Sequence, residues 1–137
     1  MRLLHLIFAS VFLLLFIASG LYMKTVLPPF NNELDGSRMI YRASHLYLLF
    51  AALLNLLAGA HWQTLGNRLC SQMQVLGSAL LIGSLPVLGL AFLLEPSQHW
   101  VMRPLTMAGC WLALLGTLLH AGAGLMQPTD RRTHQTE

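Results

Sequence analysis

Histidine and arginine residues beside apolar segments are the side chains in this sequence best suited to binding chemistry. Arg38, Arg42 and His45 follow one another at spacings of four and three residues, which places them on one face of a continuous helix. His99 and Arg103 precede the last apolar segment, and we expect them at the same membrane surface. Together the five residues predict a cationic pocket for a phosphate, a carboxylate or a haem propionate. The favoured alternative is a belt of interfacial side chains that anchors the helices among lipid headgroups.

A second hypothesis is haem ligation by histidines near the membrane surface that carries both termini. The candidates are His5, His61 and His120. Two axial imidazoles must come from different helices and face each other at one depth. His120 lies six residues before the end of its segment, about 9 Å deeper than a residue at the boundary. Histidines at helix ends without a haem are therefore favoured. A quinone between the second and fourth segments is the other form of the redox hypothesis.

Two polar or helix-breaking residues lie within the apolar segments. Asn55 is about halfway across the second segment, and we expect its amide to form a hydrogen bond to a neighbouring helix. Pro86 lies near the middle of the third segment and predicts a helix kink. A discontinuous helix that binds substrate, as in transporters, would place a proline there too. A simple kink is favoured because no intramembrane charge accompanies Pro86.

Four apolar segments carry these side chains, at residues 3–23, 44–61, 75–94 and 105–126. A helix needs about 20 apolar residues to cross a hydrocarbon core of about 30 Å. The five acidic residues all lie outside the segments, since a carboxylate at mid-membrane costs at least ~2.5 kcal/mol. The sequence therefore predicts an all-α integral membrane bundle of four transmembrane helices, as a single domain over residues 1–137 with a polar tail at 127–137.

Small residues at intervals of three and four indicate where the helices approach one another. They are Gly109, Ala113, Gly116, Thr117, Ala121 and Gly124 in the fourth segment, Ala79 and Gly83 in the third, and Ala58, Gly59 and Ala60 in the second. We expect these faces to pack inside the bundle. A homodimer formed through one of them is the alternative.

The topology is less strongly determined than the number of segments. The first segment lacks a clean signal-peptidase site, so we expect it to be retained as a span. Basic residues are equally numerous on the two sides of the predicted membrane, so the positive-inside rule does not decide the orientation. The basic pair Arg131-Arg132 in the polar tail favours cytoplasmic termini.

No motif indicates an enzyme or a metal site. The chain has no HExxH sequence, and Cys70 and Cys110 do not form a CxxC pair. We therefore assign no catalytic residue and no metal ligand. The net charge of +3 is explained by anionic lipid headgroups beside the spans, so nucleic acid is not a predicted partner.

The sequence thus predicts a small protein of a bacterial inner (plasma) membrane. The favoured function is that of a non-catalytic accessory, assembly or lipid-contacting component. Its expected partners are membrane lipids, together with a larger membrane complex or a second copy of the chain. The main alternative is a redox subunit that binds haem b or a quinone, and a small transporter is the third.

Overall fold

A computed structural model describes residues 1–26, 36–96 and 102–126 of the chain. These residues contain no strand, and they form four helices: α1 (Arg2–Thr25), α2 (Gly36–Ala60), α3 (Arg68–Leu94) and α4 (Pro104–Leu125). Each helix is long and apolar enough to span a membrane. The predicted fold class, an all-α protein with four transmembrane helices, is therefore confirmed. His99 and the tail at 127–137 lie outside the described residues.

Helices α2 and α3 begin earlier than hydropathy predicts, at Gly36 and Arg68 instead of residues 44 and 75. Their first turns are polar, but a helix satisfies its own backbone hydrogen bonds and can continue from the hydrocarbon core into the headgroup region. Asn67 fixes the start of α3, because its side-chain oxygen accepts a hydrogen bond of 2.9 Å from the backbone N–H of Leu69. Hydropathy therefore located the spans but not the ends of the helices.

The four helices form two antiparallel hairpins. Helix α1 packs mainly on α2, helix α3 packs mainly on α4, and the hairpins meet along α2 and α3. An apolar cluster at this junction includes Phe12, Leu48, Leu85, Leu88 and Phe92. Helices α2 and α4 run in the same direction and touch only lightly, which leaves a groove between them.

Glycines bring the backbones of α3 and α4 into contact. A Cβ atom on Gly77 would lie 2.7 Å from the backbone nitrogen of His120 and 2.8 Å from the carbonyl oxygen of Gly116. A Cβ atom on Gly116 would in turn lie 2.8 Å from the carbonyl oxygen of Gly77. Gly109, Ala113 and Gly116 are buried, which confirms that this part of the small-residue stripe of α4 faces inward. The stripe does not continue, because Ala121 and Gly124 are exposed.

The prediction that Ala79 and Gly83 pack inside the bundle is wrong. Ala79 is exposed, and a Cβ atom on Gly83 would have no neighbour within 4 Å. Each residue turns a helix by about 100°, so Ala79 points almost opposite to Gly77, which forms the actual contact. The small-residue spacing alone does not say which face of α3 has the partner. In α2, Ala58 and Gly59 are buried as predicted, whereas Ala60 is exposed.

Helix α3 continues through Pro86 without interruption. It therefore has no unwound segment of the kind that lines a transporter site. Pro86 is exposed, so its ring does not displace a neighbouring helix. The kink at Pro86 stays a prediction.

Candidate functional site

Asn55 joins three helices in the interior of the bundle. Its side-chain nitrogen donates hydrogen bonds of 3.0 Å to the carbonyl oxygens of Ala51 in α2 and Leu81 in α3. Because both amide hydrogens are then used, the side-chain oxygen accepts a hydrogen bond of 2.8 Å from Nδ1 of His5 in α1. The amide is 0% exposed, and every part of it has a partner.

This amide fixes the tautomer of His5. Since Oδ1 of Asn55 only accepts, Nδ1 of the neutral imidazole carries the hydrogen and Nε2 carries the lone pair. The side chain of His5 is 0% exposed, and Nε2 is buried without a hydrogen-bond partner. The rings of His120 and Trp62 lie beside it, with centroids 5.9 Å and 6.2 Å away.

Ser78 orients His120 in the same way. The Ser78 hydroxyl donates to the carbonyl oxygen of Gln74 at 2.7 Å, so its oxygen accepts from Nδ1 of His120 at 3.1 Å. Nε2 of His120 then carries the lone pair. This atom is not among the buried nitrogens without a partner, and no hydrogen bond within the described residues occupies it. The His120 side chain is half-buried and lines the groove between α2 and α4.

The other two described histidines share this arrangement. Nδ1 of His45 lies 2.8 Å from the hydroxyl oxygen of Ser19, whose hydrogen is donated to the Phe16 carbonyl oxygen. The His45 ring also stacks on the Phe16 ring at 3.9 Å. Nδ1 of His61 donates to the carbonyl oxygen of Leu57 at 3.1 Å. Neutral imidazoles held in this way present Nε2 as an acceptor or a ligand.

The groove between α2 and α4 has α3 as its floor. Gln74, Leu81 and Leu88, spaced by seven residues along α3, line the floor in that order. The part of the groove toward the termini has a volume of about 610 Å³, and the part toward the α1–α2 connection has about 230 Å³. Leu54 and Thr117 line both parts, so the two parts are adjacent.

Most polar side chains of this groove lie at one end. His61, Gln63, Gln74 and His120 line the part toward the termini. The other part is lined by apolar residues and by Tyr47, Cys110 and Thr117. The Thr117 hydroxyl is already used, because it donates to the carbonyl oxygen of Ala113 at 2.7 Å. The groove is therefore amphipathic along its length.

Arg103 is engaged within the protein. Its Nε lies 3.3 Å from a carboxylate oxygen of Glu95 without the alignment of a hydrogen bond, and its Nη2 donates to the hydroxyl of Ser44. The same carboxylate accepts from the backbone N–H groups of Leu105 and Thr106, at 2.7 Å and 3.0 Å. Glu95 thus satisfies free N–H groups at the start of α4 and balances the charge of Arg103.

The four described residues of the predicted cationic pocket do not line one common hollow. Arg38 and Arg42 border a hollow of about 190 Å³ with Met23 and Lys24, and both also take part in further interactions. His45 faces α1 and Arg103 faces Glu95. The remaining residue of that prediction, at position 99, lies outside the described ranges.

The structure does bring together two residues of the predicted haem group, His5 and His120, and it places His61 on the same groove as His120. A haem between His5 and His120 would need space for a porphyrin plane between the rings. The His5 side chain is fully enclosed, and its Cβ lies 3.0 Å from the Cβ position of Gly59. The pair therefore does not fit a haem. Within the described parts of the chain, no group of three or more His, Cys, Asp or Glu residues could hold a metal ion.

Sequence reasoning identified the histidines but missed the residues that orient them. Ser19 and Ser78 lie within apolar segments and Gln74 directly precedes one, and none of the three indicates a function by itself. The spacing of four between Gln74 and Ser78 places both on one helix face, and this was the available signal. Which histidine each of these side chains contacts depends on how the helices pack.

Comparisons with known proteins give no relative for this chain. No protein-family model, no curated protein and no solved structure matches it. The site must therefore be interpreted from its geometry.

Proposed function

We propose that this chain is a non-catalytic accessory protein of a membrane that holds one amphipathic lipid in the groove between α2 and α4. The observation that carries the proposal is the distribution of polarity along the groove. Its polar residues, His61, Gln63, Gln74 and His120, lie at one end, and apolar side chains line most of the remaining length. A lipid with a hydrogen-bonding head group and an apolar chain has the same distribution.

The dimensions of the groove agree with this occupant. Its larger part, about 610 Å³, lies within the usual range of small-molecule pockets, about 300–1,000 Å³. From His61 to Tyr47 the groove follows α2 over 14 residues, which corresponds to about 21 Å of helix. A single extended chain can follow this path through most of one hydrocarbon core.

The test is the lipid content of the protein purified in a mild detergent. Ala121 is exposed and lines the polar part of the groove, so Ala121→Phe should fill the groove without disturbing the core. Ala108 is exposed on the same helix and does not line the groove, so Ala108→Phe is the matched control. Native mass spectrometry should show one bound lipid in the wild type and in Ala108→Phe, and its loss in Ala121→Phe. Equal lipid content in the two variants would overturn the proposal.

The redox alternative with haem b has weaker support, because the closest histidine pair does not admit a haem. His61 and His120 both line the groove, so they are the remaining pair for an axial ligation. The visible spectrum of the same purified samples decides between the two functions. A Soret band that corresponds to one haem per chain and is lost in His120→Ala would show that the ligand is haem and not a lipid.

We further propose that the protein resides in the inner membrane of a bacterium, with both termini in the cytoplasm. The equal numbers of basic residues on the two sides leave this orientation dependent on the basic tail. An accessory role also implies a larger membrane complex or a second copy as partner. The exposed apolar faces of the helices leave room for either, and crosslinking in membranes followed by mass spectrometry distinguishes them.

A further inference from the structure

We propose that the head group held in the groove is a prenylated hydroquinone, bound through a hydroxyl that donates to Nε2 of His120. The inference rests on the proposed function and names the ligand class of the same groove. It is carried by three observations on the polar end, which are the direction of hydrogen bonding, the absence of charge and the layout of its polar groups.

The first observation concerns the direction of the hydrogen bond. His120 donates through Nδ1 to Ser78, whose own hydrogen is donated to the carbonyl oxygen of Gln74. Nε2 is therefore an acceptor as long as the imidazole is neutral. A hydroxyl can donate to it. The carbonyl oxygen of an oxidised quinone would instead face a second lone pair and lose the hydrogen bond.

The second observation concerns charge. Neither part of the groove is lined by a lysine, arginine, aspartate or glutamate among the described residues. The phosphate of a phospholipid would thus lie at His120 without a cationic partner, about five residues inside the end of α4. An unpaired charge at that depth is costly. A neutral head group avoids this cost.

The third observation concerns the layout of the polar groups. His120 belongs to α4, whereas Gln74 lies on the floor formed by α3, so polar groups approach the head group from two helices. A ring with hydroxyls on opposite carbons can form hydrogen bonds with His120 and Gln74 at the same time. The His120 ring is itself backed by Trp62, with centroids 5.7 Å apart, which holds Nε2 in place. A flat ring followed by one isoprenoid chain therefore matches the groove better than a branched head group with two acyl chains.

The experiment uses the thiol of Cys110, which lines the apolar part of the groove, as a reporter of occupancy. The other cysteine, Cys70, is buried and is replaced in a Cys70→Ser background. The rate of alkylation of the detergent-solubilised protein by N-ethylmaleimide is read by mass, under argon, at about pH 8, where an ordinary imidazole is neutral. The probes are decylubiquinol, decylubiquinone, dioleoylphosphatidylglycerol and decanol. We expect decylubiquinol to protect Cys110 at a concentration about tenfold lower than decylubiquinone, as one hydrogen bond implies.

Two variants distinguish the contribution of the ligand's head group from that of its apolar tail. His120→Phe keeps a ring but removes the acceptor, so both decylubiquinol and decylubiquinone should protect with the affinity of decylubiquinone. Trp111→Phe changes an exposed aromatic residue of α4 that does not line the groove and should keep the preference for the reduced form. If His120→Phe fails to fold, Ser78→Ala is used instead. It removes the acceptor that fixes the tautomer of His120, so the preference for decylubiquinol over decylubiquinone should decrease.

The outcomes are distinguishable. Equal protection by decylubiquinol and decylubiquinone in the Cys70→Ser protein overturns the inference and leaves the lipid groove standing. Stronger protection by dioleoylphosphatidylglycerol than by decylubiquinol also overturns it. If none of the probes protects Cys110, the proposed function itself fails.

Discussion

Asn55 and His5 are separated by fifty residues of sequence and share a buried hydrogen bond of 2.8 Å. The bond ties the start of α1 to the C-terminal part of α2, and the same amide reaches the Leu81 carbonyl oxygen in α3. Interhelical hydrogen bonds in membranes contribute about 0.6 kcal/mol on average. The value of this one lies in orientation as well, because it determines which nitrogen of His5 carries the lone pair.

A double-mutant cycle on this pair should show coupling. His5→Ala and Asn55→Ala should each destabilise the protein, and the double variant should be more stable than the sum predicts by about 0.6 to 1.7 kcal/mol. Unfolding in mixed micelles measures the free energies. The pair His61→Ala and Asn55→Ala is the control and should be additive. A coupling of zero between His5 and Asn55 would contradict the hydrogen bond.

A second prediction concerns the contact between the backbones of α3 and α4. Gly77→Ala should destabilise the protein by about 1–3 kcal/mol, because the new Cβ would lie 2.7 Å from the backbone nitrogen of His120 and a backbone atom cannot move aside locally. Gly83→Ala makes the same change on the same helix where no atom lies within 4 Å. It should leave the thermal midpoint in detergent unchanged or slightly higher. Equal midpoints for the two variants would show that Gly77 is not a close contact.

The contrast between Gly77 and Ala79 explains how far the sequence could lead. Helix length and apolar composition are local properties, and they determined that four helices span a membrane. The choice of packing face on α3 is not local. It depends on which surface of α4 is presented and on how Leu81 and Leu88 fit beside it, and the spacing of small residues reports neither property.

The candidate site could also be predicted only where local properties determine it. Asn55 was expected to bond across helices because a mid-membrane amide needs partners, and the structure confirms that bond. Its partners, His5 and the Leu81 carbonyl oxygen, could not be inferred, because they come from helices whose relative rotation the sequence does not give. For Glu95 the sequence indicates only a position outside the apolar segments, as for the other acidic residues. Its burial follows from contacts with Arg103 and with the start of α4 that form only in the folded bundle.

Glu95 gives a third prediction, on the start of α4. Glu95→Ala should destabilise the protein by about 1–2 kcal/mol, because it removes the acceptor of the Leu105 and Thr106 N–H groups and leaves Arg103 without its counter-charge. Glu95→Gln keeps one acceptor oxygen and should cost less. Ser44→Ala removes only one hydrogen bond from Arg103 and should cost least. Unfolding free energies in mixed micelles give the order, and a larger effect of Ser44→Ala than of Glu95→Ala would contradict it.

The last prediction concerns topology. Four membrane-spanning helices place the α1–α2 connection at 27–35 on one side of the membrane, and both the α2–α3 connection at 61–67 and the tail at 127–137 on the other. Fusions of a phosphatase active only outside the cytoplasm, and of a fluorescent protein that matures only inside it, read each position. We expect the phosphatase to be active at 27–35 and the fluorescent protein to be bright at the other two positions, since the basic tail favours the cytoplasm. Identical localisation at 27–35 and in the tail would contradict four spans. A reversal of all three positions would keep the four spans and overturn only the cytoplasmic termini, because the basic residues of the two sides are balanced and give the orientation little energetic preference.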